Sequence, residues 1–354
     1  MGEKIGLITF CDNTNYGSYL QTYGLYKYIH DLGKNIELID YYKEVPDFER
    51  VSWNSFLKLI KHKKYYDEIE TFVNILIMQK HFEKLIRNSM KRSRRYTSKN
   101  LVKCKRDYSK IIVGSDLVWD LRYSKDYAYM LDFVDNDVKK LAYAASYGYE
   151  KIPLEEEIAF KEKLSRFDYI SVREKNVKEE LTRLLEREVF HVCDPTMLIE
   201  QNYWKNLVTV NKQDFPYVLV YMDDAEQKIS SMANRYARSK KLKIYHISKE
   251  NRNRCPMDPI EFLTLIYYAE KVFTGSYHGL LFSLYFQKDI SFLYRHPGNR
   301  IKTVSEILEL DEYNVLSERY DMYSKPDYFL INKRIEQFRV KSRYVLGKML
   351  DDEK

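Results

Sequence analysis

Cysteine is scarce in this chain: Cys11, Cys104, Cys193 and Cys255 are scattered through 354 residues, with no CxxC pair and no Cys/His spacing. That pattern argues against a disulfide scaffold or a cysteine-ligated zinc site, and it fits a reducing cytosol. No run of about 18 apolar residues occurs, so no membrane-spanning helix is expected. The opening residues, MGEKIGLITF, lack the basic start, long apolar core and small-residue cleavage site of a secretory leader; the expected compartment is the cytoplasm. There is no GxxxxGK[ST] run and no GxGxxG, which leaves ATP hydrolysis and dinucleotide redox chemistry unsupported. No HExxH and no clustered carboxylates suggest a metal, and none is expected.

What remains is the composition of an ordinary folded chain, 45% hydrophobic and 31% charged, and long enough for two domains. The net charge of +7 is local. Residues 90–106, MKRSRRYTSKNLVKCKR, carry eight Lys and Arg and no acid, so the remaining 51 basic and 52 acidic residues nearly cancel. Such a stretch suits a solvated face, an anionic headgroup or a phosphorylated substrate. No nucleic-acid module accompanies it, and no nucleic-acid partner is expected.

Short β-rich apolar runs alternate with helical patterns, which predicts parallel α/β units. KIGLITF (4–10), a helix over 16–33 and NIELIDY (35–41) make a βαβ unit, with Gly33 as the helix stop. Residues 43–106 break the rhythm and read as a helical insertion. Strands resume at 110–114, 139–146, 168–173 and 189–194. A boundary is expected at Asp194-Pro195-Thr196, because proline restricts the residue before it. A second alternating series follows, with strands at 217–222, 243–247, 271–275 and 289–294, and a last helix spans 329–350. The expected fold is α/β: two Rossmann-like domains facing a cleft, 1–194 and 195–328, with a C-terminal helix, 329–354. Ligands in such sheets bind at the carboxyl ends of strands, near a topological switch point.

Five strand-to-loop junctions carry unusual polar content. Asn15, Tyr16 and Gly17 precede a helix and read equally as an anion site and as a plain N-cap. Gly114, Ser115 and Asp116 follow a buried strand, with Trp119 close by; Ser and Asp can bond hydroxyls, and Trp offers a ring face. The third, Ser146-Tyr147-Gly148, reads as structural. Arg173, beside Glu174, ends another strand and can grip a carboxylate or phosphate in bidentate fashion. The fifth is VFTGSYHGLLFSLYF, where Ser276, Tyr277, His278 and Gly279 stand between a strand and an apolar helix. A histidine in the first helical turn is disfavoured as a cation unless an anion binds with it, which suits a general acid acting on a phosphate ester. Arg295, His296, Asn299 and Arg300 follow the next strand and add positive charge. These junctions describe a cationic cleft for a small, highly charged phosphorylated ligand.

Taken in order, Asn15-Tyr16-Gly17, Gly114 to Trp119, Tyr143 to Gly148, Ile170 to Glu174, Asp194-Pro195-Thr196 and Ser276 to Ser283 resemble the motifs of the polysaccharide pyruvyl transferase family. The resemblance runs over about residues 4 to 310. Leu117 stands where the family often has Gln, and Tyr277 where Phe is frequent. The resemblance implies a GT-B-like fold and transfer of a pyruvyl group from phosphoenolpyruvate to two hydroxyls of a sugar, giving a cyclic ketal and phosphate. It implies phosphoenolpyruvate as co-substrate with no separate cofactor, and cell-envelope polysaccharide, capsule or exopolysaccharide, as the product class. It makes Arg173, His278, Arg300, Ser276 and Gly279 the donor-binding candidates on the C-terminal side of the cleft. Asn15, Tyr16, Gly17, Ser115, Asp116 and Trp119 become the acceptor candidates, with His278 and Asp116 catalytic. A lipid-linked oligosaccharide acceptor would also give the basic stretch 90–106 a use, holding the enzyme on the inner membrane face. The rival expectation is a GT-B glycosyltransferase using a nucleotide sugar, since fold does not decide chemistry.

Overall fold

The computed structural model describes residues 3–11, 14–42, 66–122, 127–221, 227–247, 257–294 and 300–351. Within them the chain forms two parallel sheets. The first contains seven strands: β1 (Lys4–Ile8), β2 (Asn35–Tyr42), β3 (Arg92–Thr97), β4 (Lys110–Val113), β5 (Lys139–Ala145), β6 (Tyr169–Val172) and β7 (Phe190–His191), in the spatial order β3-β2-β1-β4-β5-β6-β7. The second holds β8 (Tyr217–Tyr221), β9 (Lys243–Ile247), β10 (Lys271–Thr274) and β11 (Asp289–Phe292), ordered β11-β10-β8-β9. The order reverses between β1 and β4 in one sheet and between β8 and β10 in the other. Each reversal opens a crevice at the carboxyl ends of its strands.

Burial on both faces explains why these strands read as continuous apolar runs. Side chains alternate along a strand. Ile5 and Leu7 of β1 face the central core while Ile8 faces the outer one; Tyr217, Leu219 and Tyr221 of β8 face inward, and Val218 and Val220 outward. The central core is shared by both sheets. It collects α1 (Tyr16–Asp31) with α2 (Tyr66–Ser89) and, further along, α5 (Pro195–Leu198). The same core takes in α8 (Pro259–Tyr268), α9 (Tyr277–Tyr285) and α11 (Tyr328–Asp351). Between these lie α3 (Leu154–Leu164), α4 (Lys175–Leu185), α6 (Gln201–Asn206), α7 (Gln227–Lys240) and α10 (Arg300–Leu308). Tyr16 of α1 stacks on Phe262 of α8 with ring centroids 4.8 Å apart and planes 13° apart, so one aromatic pair ties the two sheets' layers together.

The C-terminal helix follows the second sheet but packs back on the first half. Ser342 accepts from the Cys193 amide at 2.8 Å, Arg339 Nε donates to the Met197 carbonyl at 2.7 Å, and Lys34 pairs with Asp351. No helix among the described residues is long and apolar enough to cross a membrane.

The region 43–106 differs from the helical insertion expected. Residues 43–65 lie outside the described residues, but α2 leads into β3, which is an integral edge strand paired in parallel with β2. The stretch 90–106 is therefore a strand followed by a 3-10 turn at Leu101–Asp107 rather than a free basic loop. Part of its charge is spent locally. Arg92 and Arg95 both pair with Asp40, at 2.6 and 3.2 Å, and Lys105 pairs with Asp135.

Candidate functional site

The candidate site lies at the carboxyl ends of β1, β4, β6 and β10, where the two switch points face each other. Three turns aim it. After β1, Asn15 caps α1, its side-chain oxygen accepting from the amides of Gly17 at 2.9 Å and Ser18 at 3.4 Å. After β4, Asp116 adopts φ 71°, a left-handed conformation that Asp tolerates better than most residues. Its carbonyl accepts from Val118 and Ser146, and these bonds hold the turn in place. After β10, Ser276 caps α9 by accepting from the Gly279 amide at 3.3 Å. A Cβ on Gly279 would stand 2.5 Å from Thr274 Oγ1 and 2.7 Å from the Tyr221 ring, so only glycine lets this turn close on the sheet.

These turns bring four charged side chains together. Arg173, at the end of β6, donates from Nη1 to Asp194 Oδ2 at 2.6 Å and places Nη2 3.6 Å from Asp116 Oδ1. Arg300, at the start of α10 on the opposite side, donates to the same Asp116 oxygen at 2.8 Å. Ser18 donates to the other Asp116 oxygen at 2.6 Å. His278 Nε2 lies 3.5 Å from Asp194 Oδ2, and its ring rests against Gly17: a Cβ there would be 2.0 Å from His278 Nδ1. The Tyr277 ring lies between the two guanidiniums, with centroid distances of 4.7 Å to Arg173 and 5.4 Å to Arg300.

Apart from Arg300, the group is almost entirely removed from water. Burial pushes both aspartates up, but the opposing charges win. Arg300, Arg173 and His278, with the Ser18 bond, hold Asp116 at about 2. His278, Arg173 and the Thr196 bonds hold Asp194 well below the usual carboxylate range. Burial pulls Arg173 down, yet Asp194 and its other neighbours raise it above the ordinary guanidinium value. Glu174 goes the other way. Burial raises it above the ordinary glutamate range, and Arg173, the Ser146 hydroxyl bond and Arg300 offset only part of that. The local charge is thus two cations against two carboxylates, more balanced than the cationic cleft expected; Arg295, His296 and Asn299 lie outside the described residues.

Of the expected donor residues, Arg173, Arg300 and His278 converge, while Ser276 and Gly279 shape the turn that presents His278. Asp116 and Gly17 belong to the same cluster. Two acceptor candidates are corrected. Trp119 is fully buried, its indole N–H donating to the Tyr129 carbonyl at 3.0 Å, and it presents no ring face to a sugar. Tyr16 is fully buried in the stack on Phe262. Asn15 spends its side-chain oxygen on the α1 cap, the structural alternative of the two its position allowed. Ser115 is buried, and its hydroxyl meets no hydrogen-bond partner among the described residues. Asp194 was expected only as a boundary residue. Its Oδ1 caps α5 through Thr196, while its Oδ2 serves Arg173 and His278.

The family model for polysaccharide pyruvyl transferase matches residues 15–289, from the α1 cap through His278 to β11. The chain belongs to the polysaccharide pyruvyl transferase family. Membership makes it a transferase with a sugar or polysaccharide as its acceptor class; Arg300 lies just beyond the matched span. No curated protein matches the chain. Among solved structures, it is similar to MnaA of S. aureus in a co-structure with UDP, with a TM-score of 0.50, 10% identity, and coverage of 99% of this chain and 91% of that one. It is also similar to an alpha-glucosyltransferase (AGT) in complex with UDP, with a TM-score of 0.51, 9% identity and 99% of each chain covered. At such identities the likeness is one of fold: this pyruvyl transferase family member has the GT-B-like arrangement of two α/β halves.

Proposed function

We propose that the chain moves the pyruvyl group of phosphoenolpyruvate onto two hydroxyls of a sugar in a surface-polysaccharide precursor, forming a cyclic ketal and releasing phosphate. The observation that carries this reading is the meeting of Arg173 and Arg300, from opposite halves, on one oxygen of Asp116, 3.6 and 2.8 Å away. Two guanidiniums so close together suit a ligand that carries a carboxylate and a phosphate, about three negative charges near neutral pH. Asp116 meets Arg300 as a ligand carboxylate would, so the donor binds by taking over that contact. Asp116 keeps its bond from Ser18.

His278, in the first turn of α9, is assigned to the departing phosphate, stabilising it or relaying its proton. The reaction begins with a proton added to the donor's methylene carbon, which makes the adjacent carbon electron-poor. One sugar hydroxyl adds there, phosphate leaves with its bonding electrons, and the second hydroxyl closes the ring. Of the two hydroxyl protons released, one balances the proton now in the methyl group and one leaves with phosphate. Asp116 is assigned to orient an acceptor hydroxyl rather than to deprotonate it. A carboxylate held at about 2 is a weak base at neutral pH.

Thermal stability against phosphoenolpyruvate, with a nucleotide-sugar panel alongside, tests the reading. Ligand at 100 times its Kd stabilises by about 2.7 kcal/mol. A shift with phosphoenolpyruvate that is lost in Arg300→Gln is expected. A shift with a nucleotide sugar alone would instead make the chain a glycosyltransferase, the reading that the UDP complexes among its fold relatives keep in view.

A further inference from the structure

We infer that Glu174 is the acid that protonates the methylene carbon of the donor. The inference rests on reading the site as a phosphoenolpyruvate site, and it names the proton source which that chemistry requires.

Glu174 follows Arg173 directly and is completely buried. It occupies the N-cap position of α4, where a carboxylate ordinarily bonds the free amides of its own helix. Its side chain makes no such cap bond. It turns instead to the end of β5, where Ser146 Oγ donates to Oε1. The other oxygen, Oε2, has no hydrogen-bond partner among the described residues. A buried carboxylate with one oxygen unmet is expensive, and burial raises the group's hold on a proton above that of an ordinary glutamate. Arg173 offsets that cost only in part: its Nη1 bonds Asp194 at 2.6 Å, and no Arg173 nitrogen bonds Glu174. As the acid, Glu174 would present Oε2, which meets no partner among the described residues, beside Arg173 at the end of β6.

The other groups in the cluster are poor proton donors to carbon. Asp116 and Asp194 are held ionised by the guanidiniums, and Arg173 is held charged. Tyr277 is pushed well above the ordinary phenol value by burial. His278 already faces Asp194, on the side where phosphate would leave. Binding a trianion beside Glu174 disfavours its ionisation further, so the proton is retained when the donor is present.

In the step itself the Glu174 Oε2–H bond breaks as a C–H bond forms at the methylene carbon, with the double bond supplying the electron pair. The first acceptor hydroxyl then adds, the carbon–oxygen bond to phosphate breaks with its electrons going to phosphate, and the second hydroxyl adds. One hydroxyl proton returns to the Glu174 carboxylate and the other leaves with phosphate.

The test compares the full-length chain with Glu174→Gln and Glu174→Asp. Phosphoenolpyruvate binding is followed by thermal shift and titration. Phosphate release is followed with a panel of methyl glycosides carrying free diols. The expected result is a Glu174→Gln protein that binds phosphoenolpyruvate within a few-fold of wild type but releases phosphate about 10²–10⁴ times more slowly. Glu174→Asp should fall between the two. A second signature separates catalysis from structure. Wild-type affinity for phosphoenolpyruvate should fall as pH rises through the Glu174 titration, over and above the change from the ligand's own phosphate. Asp116 and Asp194 are held low and Arg173 and Tyr277 high, so these four keep their charge states there. That extra dependence should vanish in Glu174→Gln. Wild-type turnover in Glu174→Gln, or equal pH dependence in both proteins, overturns the inference while leaving the donor site standing. If Glu174→Gln fails to fold, Glu174→Asp decides: an unchanged rate and an unmoved alkaline limb overturn it. No phosphoenolpyruvate binding by wild type overturns the site reading and this inference together.

Discussion

Adding one methyl group at Gly17 should disable the site without replacing any group that takes part in the chemistry. A Cβ at this position would stand 2.0 Å from His278 Nδ1, 2.7 Å from Cγ and 2.8 Å from Cε1, where ordinary contact is 3.4–4 Å. In Gly17→Ala the imidazole must retreat by more than about 1 Å, a displacement that costs on the order of 100-fold in rate for a positioned catalytic group. Stability should change much less. Overpacking costs about 1–3 kcal/mol, and replacing glycine by alanine in a helix returns up to about 1 kcal/mol. The net loss is then about 0–3 kcal/mol, a Tm shift of a few degrees. Phosphate release from phosphoenolpyruvate, measured beside a denaturant curve, separates the two effects. The sharper control is the double variant with His278→Ala, which should be hardly slower than His278→Ala alone, because both changes remove the same contribution. Full activity in Gly17→Ala, or additive losses in the double variant, would refute the placement of His278 against α1.

Acid should destabilise the protein through the same cluster. Asp116 sits at about 2 when folded against about 3.9 when unfolded, so it contributes about 2–3 kcal/mol above pH 5, lost as pH falls from there through its folded value. Asp116→Asn should flatten that acid arm, which a pH series of denaturant midpoints would read. Tyr277→Phe keeps the ring between Arg173 and Arg300 and should leave phosphoenolpyruvate affinity within a few-fold, whereas Tyr277→Ala should weaken it by about 1–2 kcal/mol, seen by titration. Phe262→Ala removes the fully buried partner of Tyr16 and should cost about 3–5 kcal/mol in unfolding free energy.

Those magnitudes rest on burial, and burial also separates what the sequence made legible from what it hid. Arg173 and His278 could be found because a polar residue just after an apolar strand is conspicuous, and parallel sheets put strand ends at the cleft. β3 could not. Arg92-Ser93-Arg94-Arg95 reads as a basic loop, yet charge on an edge strand is what blunts edge-to-edge pairing, and Tyr96 is the one side chain of that strand that is fully buried. Trp119 and Tyr16 invite the opposite error, since an aromatic beside polar loop residues looks like a sugar platform. Each instead fills the core, because burying a large ring stabilises the fold more than leaving its face in water. Asp194 was legible as a boundary residue and hidden both as a cap and as an ion-pair partner, for its two oxygens do both jobs at once. Glu174 is the extreme case. The sequence places it beside Arg173, where a salt bridge is the natural assumption. In the fold Arg173 turns to Asp194 and Glu174 turns to Ser146, so neighbours in the chain take different partners. Local sequence can nominate the residues at a strand end, but their charge states depend on partners 21 and 28 residues away along the chain.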